Sequence, residues 1–174
     1  MSRELLIMRH AKSDWNSGAS DFDRPLTRRG KDDAPKIGAW LRQEGLVPDH
    51  VVSSPARRAH QTAVRVCKVL EVPRGQIDWD PRVYAADLDA LLEVLGCCPP
   101  DAPRVLLIGH NPGLETLVLH LTGAELAESD DGKPFPTGAL ARLTMPEHWT
   151  QLPLACARFV SLTRPRDLQG TAPQ

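Results

Sequence analysis

Two stretches decide the reading of this chain: Leu5-Leu6-Ile7-Met8-Arg9-His10 and Val105-Leu106-Leu107-Ile108-Gly109-His110. Each is a short all-apolar run, as in a strand covered on both faces, and each ends in a histidine. A third run, Val51-Val52-Ser53, ends at Ser54-Pro55. Between these runs the apolar residues switch to helical spacing. Ile37, Trp40 and Leu41 precede a stop at Gly45, and Ala59, Ala63, Val66, Cys67 and Leu70 line a second helix from about Ala56. Leu88, Leu91, Leu92 and Leu95 line a third, capped by Asp87. Asn111 and Pro112 suit the N-cap and first turn of a fourth, striped by Leu114, Leu117, Val118 and Leu121. Alternation over Ala139–Met145 predicts a half-buried strand, with the segment from Ala155 to Leu162 as an antiparallel neighbour. The pattern predicts one α/β domain over residues 1–162, with a mostly parallel sheet flanked by helices on both faces, and an irregular tail over 163–174.

Composition narrows the classes. The chain has 174 residues, 41% hydrophobic and 25% charged, enough for a soluble core. Its 21 basic and 22 acidic residues sum to −1, which gives no footprint for nucleic acid or a membrane surface. No apolar run reaches the roughly 18 residues of a transmembrane helix. The start, Met1-Ser2-Arg3-Glu4, does not read as a signal peptide, so a cytoplasmic location is expected. Cys67, Cys97, Cys98 and Cys156 match neither metal-ligand nor redox spacing and read as reduced small hydrophobes. No metal or organic cofactor is expected, and nothing in the pattern specifies an oligomeric state.

In parallel α/β sheets, ligands bind outside the carboxyl ends of the strands, where both histidines fall. Arg9 lies beside one of them, and Arg58 falls on the first turn of the helix behind Val51-Val52-Ser53. A strand-end histidine alone is more often structural, and a lone arginine at a helix start is more often solvated or capping. Their coincidence points to a small cationic pocket for a dianion, for which phosphate is the natural candidate. Imidazole can attack phosphorus and divide phosphoryl transfer into two steps, with arginines neutralising the equatorial oxygens.

Met8-Arg9-His10-Ala11 resembles the Arg-His-Gly signature of the histidine phosphatase superfamily, with alanine at the glycine position. Ser54-Pro55-Ala56-Arg57-Arg58-Ala59-His60-Gln61-Thr62 is similar to its Ser-Pro-x-x-Arg-Ala-x-Gln-Thr segment, which singles out Arg58 over Arg57. Gly109-His110-Asn111-Pro112, Arg24-Pro25-Leu26-Thr27 with Gly30, and Pro136-Thr137-Gly138-Ala139 also fit, in family order. The branch that the chain resembles is that of the short, SixA-like phosphohistidine phosphatases. The resemblance implies a phosphoglycerate mutase-like three-layer fold, His10 as the phosphorylated nucleophile, Arg9 and Arg58 as phosphate clamps, and His110 as a further phosphate ligand. It also implies Arg24 and Asn111 as substrate contacts.

Larger members of the superfamily carry a general acid on an inserted segment. Here that interval, about Pro73 to Asp101, is short and offers Asp78, Asp80, Asp87, Asp89 and Glu93, which read as surface residues. A missing acid suits a phosphoramidate better than a sugar alkoxide. The expected function is therefore removal of phosphate from a phosphohistidine-bearing protein. The alternatives are a phosphatase or mutase for small phosphate esters and, in another class, a non-catalytic phosphate-binding module. Trp15 fits either the substrate entrance or packing, His60 reads as exposed, and Tyr84 reads as packed with its hydroxyl at the surface.

Overall fold

Arg3–Arg9 forms β1, and its four central residues, Leu5, Leu6, Ile7 and Met8, are fully buried. The computed structural model describes residues 2–127 and 131–168. After β1 come α1 (Arg28–Gln43), β2 (His50–Ser53), α2 (Arg57–Val69), β3 (Ile77–Trp79) and α3 (Leu88–Gly96). Then follow β4 (Arg104–Gly109), α4 (Gly113–Thr122), β5 (Leu140–Met145) and β6 (Arg158–Thr163). The strands form one sheet in the order β3-β2-β4-β1-β5-β6. β3, β2, β4 and β1 run parallel, β5 pairs antiparallel with β1, and β6 pairs antiparallel with β5.

Alternation along β1 explains the unbroken apolar run. Leu6 and Met8 face α1 and α2, packing with Ile37, Leu41, Ala63 and Val66, whereas Leu5 and Ile7 face α3 and α4, packing with Leu91, Leu95, Leu117 and Leu121. A strand covered on both sides has no solvent face to leave polar. The expected three-layer α/β arrangement is thus the one observed.

Local details differ from the sequence reading. α1 begins at Arg28, well before Ile37, because Thr27 caps it by accepting from Gly30 N (3.0 Å), and the buried stripe Gly30, Ala34, Ile37, Gly38 and Leu41 outweighs the hydrogen bond lost at Pro35. The strand β3 escapes a periodicity search because it is three residues long. β6 starts at Arg158 rather than Ala155 and ends at Thr163. Beyond it, Pro165–Leu168 forms a 3-10 turn with Pro165 buried; residues 169–174 of the expected irregular tail lie outside the described residues. Asn111 is not the cap of α4: Pro112 precedes the helix, and the Asn111 amide is engaged elsewhere.

Gly30 is where α1 touches the segment that follows the first histidine. A Cβ there would clash with the Lys12 carbonyl oxygen, a backbone atom with no freedom to move aside. Gly30→Ala is expected to cost about 2–3 kcal/mol through forced displacement of α1. The check is the urea midpoint, and a variant as stable as the parent would show that the contact is not required.

Candidate active site

β1 and β4 are adjacent and in register, Arg9 opposite Gly109, so His10 and His110 leave the sheet side by side. Their ring centroids are 5.2 Å apart. β2 lies on the other side of β4 and ends level with it, Ser53 opposite Ile108. This brings Ser54 to His110, with Ser54 Oγ 2.8 Å from His110 Nε2. Four residues later, the first turn of α2 presents Arg58, which is 5% exposed.

The residues around Arg58 hold the site together. Thr62 Oγ1 accepts from Ala11 N (3.0 Å) and so pins the backbone immediately after His10. Gln61 Oε1 accepts from Leu26 N (2.8 Å) and pins the loop that carries Arg24. The turn Pro136-Thr137-Gly138 closes the far side: Gly138 N donates to the carbonyls of Arg9 (3.1 Å) and His10 (2.9 Å). Gly138 has φ +78°, and a Cβ there would meet Pro165 at 2.9 Å, so glycine is required twice over.

His10 is 5% exposed, and its Nδ1 lies 2.7 Å from the Ala11 carbonyl. A carbonyl only accepts, so Nδ1 carries the proton and neutral His10 has its lone pair on Nε2. Burial pushes the His10 pKa well below its ordinary value, and the charges of Arg9 and Arg58 push the same way. His110 is lowered to about 4, by burial first and then by Arg58.

This has a consequence for stability. Histidine in the unfolded chain titrates near 6.5, so between pH 6.5 and about 4 the unfolded chain takes up a proton that folded His110 refuses. The contribution of His110 to stability should therefore hold above 6.5 and fall by about 2–3 kcal/mol as the pH drops to about 4, with His10 adding to the fall in the same direction. Denaturant unfolding across that window checks the sign, and a His110→Gln variant should flatten the slope.

The arginines are arranged around a carboxylate that sequence reasoning missed. Asp21 Oδ2 is 3.2 Å from Arg58 Nη2, its backbone oxygen accepts from Arg58 Nη1, and Asp21 Oδ1 accepts from Arg24 Nη1 (2.9 Å). The Tyr84 ring packs edge-on against Phe22 and His110, and its hydroxyl, at the surface as expected, donates to Asp21 Oδ2. The Tyr84 hydroxyl, with the two arginines, holds the Asp21 carboxyl down at about 2. Arg24 is 7% exposed, bonded through Nε to Ser13 Oγ (2.9 Å), with its guanidinium 3.6 Å from the ring centre of Trp15. Trp15 is 78% exposed and forms part of the rim. No motif marks Asp21 or Tyr84; only the fold brings positions 21, 24, 58 and 84 together.

Asn111 sits at one remove. Its Nδ2 donates to Glu115 Oε1 (2.9 Å) and to the Phe135 carbonyl (2.8 Å), which also accepts from Arg9 Nη1 (3.2 Å). His60 stacks half-buried on Trp79 at 4.2 Å instead of standing in solvent. The carboxylates of the short interval are used elsewhere or exposed: Asp80 binds Arg82, Asp87 caps α3, Asp78 faces His50, and Asp89 and Glu93 point to solvent.

Four buried polar atoms here have no hydrogen-bond partner: Arg9 Nε, Arg58 Nε, His110 Nδ1 and Asn111 Oδ1. Buried polar groups are nearly always paired. Orphans on two guanidinium groups and an imidazole, gathered around a neutral histidine, describe a receptor for an oxyanion. Among the described residues, no group of three or more His, Cys, Asp or Glu is placed to hold a metal, and no helix is long and apolar enough to cross a membrane.

Comparison with known proteins agrees with this geometry. The sequence profile of the Histidine phosphatase superfamily (branch 1) matches residues 5–82. An uncharacterized protein of Mycobacterium tuberculosis is 34% identical, over 91% of this chain and all of its own length. The phosphohistidine phosphatase SixA of Escherichia coli is 30% identical, over 83% of this chain and 86% of its own. This chain belongs to the histidine phosphatase superfamily. A solved structure of the protein histidine phosphatase SixA complexed with tungstate superposes with a TM-score of 0.79 at 27% identity, covering 95% of this chain and 99% of that one. The superfamily member described here therefore shares its fold with SixA over nearly the whole of both chains.

Proposed function

We propose that the chain is a metal-independent phosphatase that removes phosphate from protein phosphohistidine through a covalent intermediate on His10. The observation that carries the reading is the neutral, Nδ1-protonated His10 set among buried cationic donors without partners. In the first step His10 Nε2 forms a bond to phosphorus as the substrate's P–N bond breaks, and the leaving imidazole departs with the proton on its other nitrogen. In the second step a water oxygen bonds to phosphorus, the bond to His10 breaks, and the water's proton leaves to solvent with inorganic phosphate as product. Arg9 and Arg58 offset the charge on the transferring oxygens. Arg24 is the outer cation of the same site, and Asn111 positions Arg9 through the shared Phe135 carbonyl.

The choice of leaving group rests on the carboxylates. Asp21, the carboxylate at the site, is held at about 2, so it is ionised at neutral pH and has no proton to give. A phosphoramidate needs none, whereas an alkoxide does. The likeness to SixA points the same way.

The decisive experiment is incubation with a radiolabelled phosphohistidine protein, followed by rapid quenching in base. A base-stable, acid-labile label on His10, with inorganic phosphate released in the presence of EDTA, is the expected result. Fast hydrolysis of sugar phosphates with no action on phosphohistidine would move the substrate assignment to small esters.

A further inference from the structure

Among the described residues a fifth buried polar atom lacks a hydrogen-bond partner, and it lies outside the site above: Nη1 of Arg164. Arg164 is 6% exposed and stands just after β6. Its Nη2 donates to the Lys133 carbonyl (3.1 Å), while Nη1 has only an ion-pair approach to Asp131 Oδ1 at 3.5 Å. The guanidinium lines an open pocket whose other cations are Lys12, Arg29, Lys133 and Arg166.

The pocket's carboxylates do not balance this charge. Asp33 is shared between Arg29 (3.6 Å) and Lys36 (3.3 Å), and Asp131 between Arg164 and Arg166 (3.6 Å). Arg166 also approaches the more exposed Asp167 at 3.8 Å. Among the described residues, and leaving aside Lys133, which is engaged elsewhere, four lining cations, Lys12, Arg29, Arg164 and Arg166, face two lining carboxylates, a positive excess. A buried guanidinium with an unused N–H beside such an excess is costly unless an acceptor completes it. An anionic oxygen would complete it, as in the neighbouring phosphoryl site.

The two sites share a wall. Pro136 and Thr137 line the pocket, and Gly138 next to them donates to the carbonyls of Arg9 and His10. Lys12 lies two residues beyond His10. We propose that this pocket is a second anion-binding site, taking a phosphate or carboxylate group, with Arg164 Nη1 as its buried donor. Such a group has two possible sources, an acidic or phosphorylated side chain of a bound protein, or a free small oxyanion. The proposal does not depend on catalysis at His10.

The test is an NMR titration of the full chain with inorganic phosphate. Amides of Thr137, Arg164 and Arg166 should shift as one saturable event, with a dissociation constant different from that of the amides around His10. Lys12→Gln/Arg166→Gln should weaken the first event by about tenfold and leave the second in place. Arg29→Gln/Arg166→Gln, at two exposed positions, serves if the first pair fails to fold. Displacement of pocket-bound phosphate by a histidine-phosphorylated protein would assign the anion to the partner, and its retention would assign it to a free oxyanion. A single saturable event confined to His10, or pocket shifts unchanged in both double variants, overturns the proposal.

Discussion

His10→Ala is expected to lower phosphatase turnover by at least about 10³-fold and to abolish the covalent label. The argument rests on one atom. His10 Nδ1 is committed to the Ala11 carbonyl at 2.7 Å, so Nε2 is the nitrogen with a free lone pair. Burial keeps the ring neutral at physiological pH, so no proton needs to leave before attack. Phosphate affinity should change little, since Arg9, Arg58 and His110 remain. Single-turnover kinetics alongside phosphate binding separate the two effects. A His10→Ala enzyme that turns over at more than about a tenth of the parental rate would rule out a nucleophilic His10.

Arg58→Ala is expected to reduce kcat/KM by about 10²–10³-fold, the range seen when one preorganised charge donor is removed from a phosphoryl or oxyanion site. Arg58 is nearly fully buried, and its Nη1 and Nη2 are held by Asp21 while its Nε has no partner. Removing it takes a cation from the phosphate and leaves ionised Asp21 with Arg24 and Tyr84, so the local field turns against a dianion. Arg58→Lys should recover only part of the loss, because a single ammonium cannot reproduce the fork geometry. Thermal midpoints guard against a folding artefact. A loss of less than about fivefold would show that Arg58 acts on the fold rather than on the phosphoryl group.

Both substitutions concern residues visible from sequence, and the reason is physical. A strand buried on both faces must be apolar throughout, so Leu5–Met8 and Val105–Ile108 stand out, and whatever follows them lies at the carboxyl edge of the sheet. Ser54, Arg58, Gln61 and Thr62 form a readable string because each makes a distinct bond from one helix start: to His110, to Asp21, to Leu26 and to Ala11. Asp21 and Tyr84 left no such trace. They are 63 residues apart and meet through one side-chain bond, which imposes no local periodicity on either segment.

The sequence alone therefore determined the layer architecture and the strand ends, and the family resemblance put His10, Arg9, Arg58 and His110 forward as the candidate anion-handling set. The architecture and the strand ends follow from local burial patterns and short-range spacing. Tertiary structure decided what adjacency controls. It set the strand order that places His10 beside His110, the tautomer fixed by the Ala11 carbonyl, and the carboxylate held among Arg24, Arg58 and Tyr84. It also brought Arg164 and Lys12, 152 residues apart in the chain, to the lining of one pocket. Charge at a site is a sum over space, and neutral composition along a chain says nothing about how folding will distribute it.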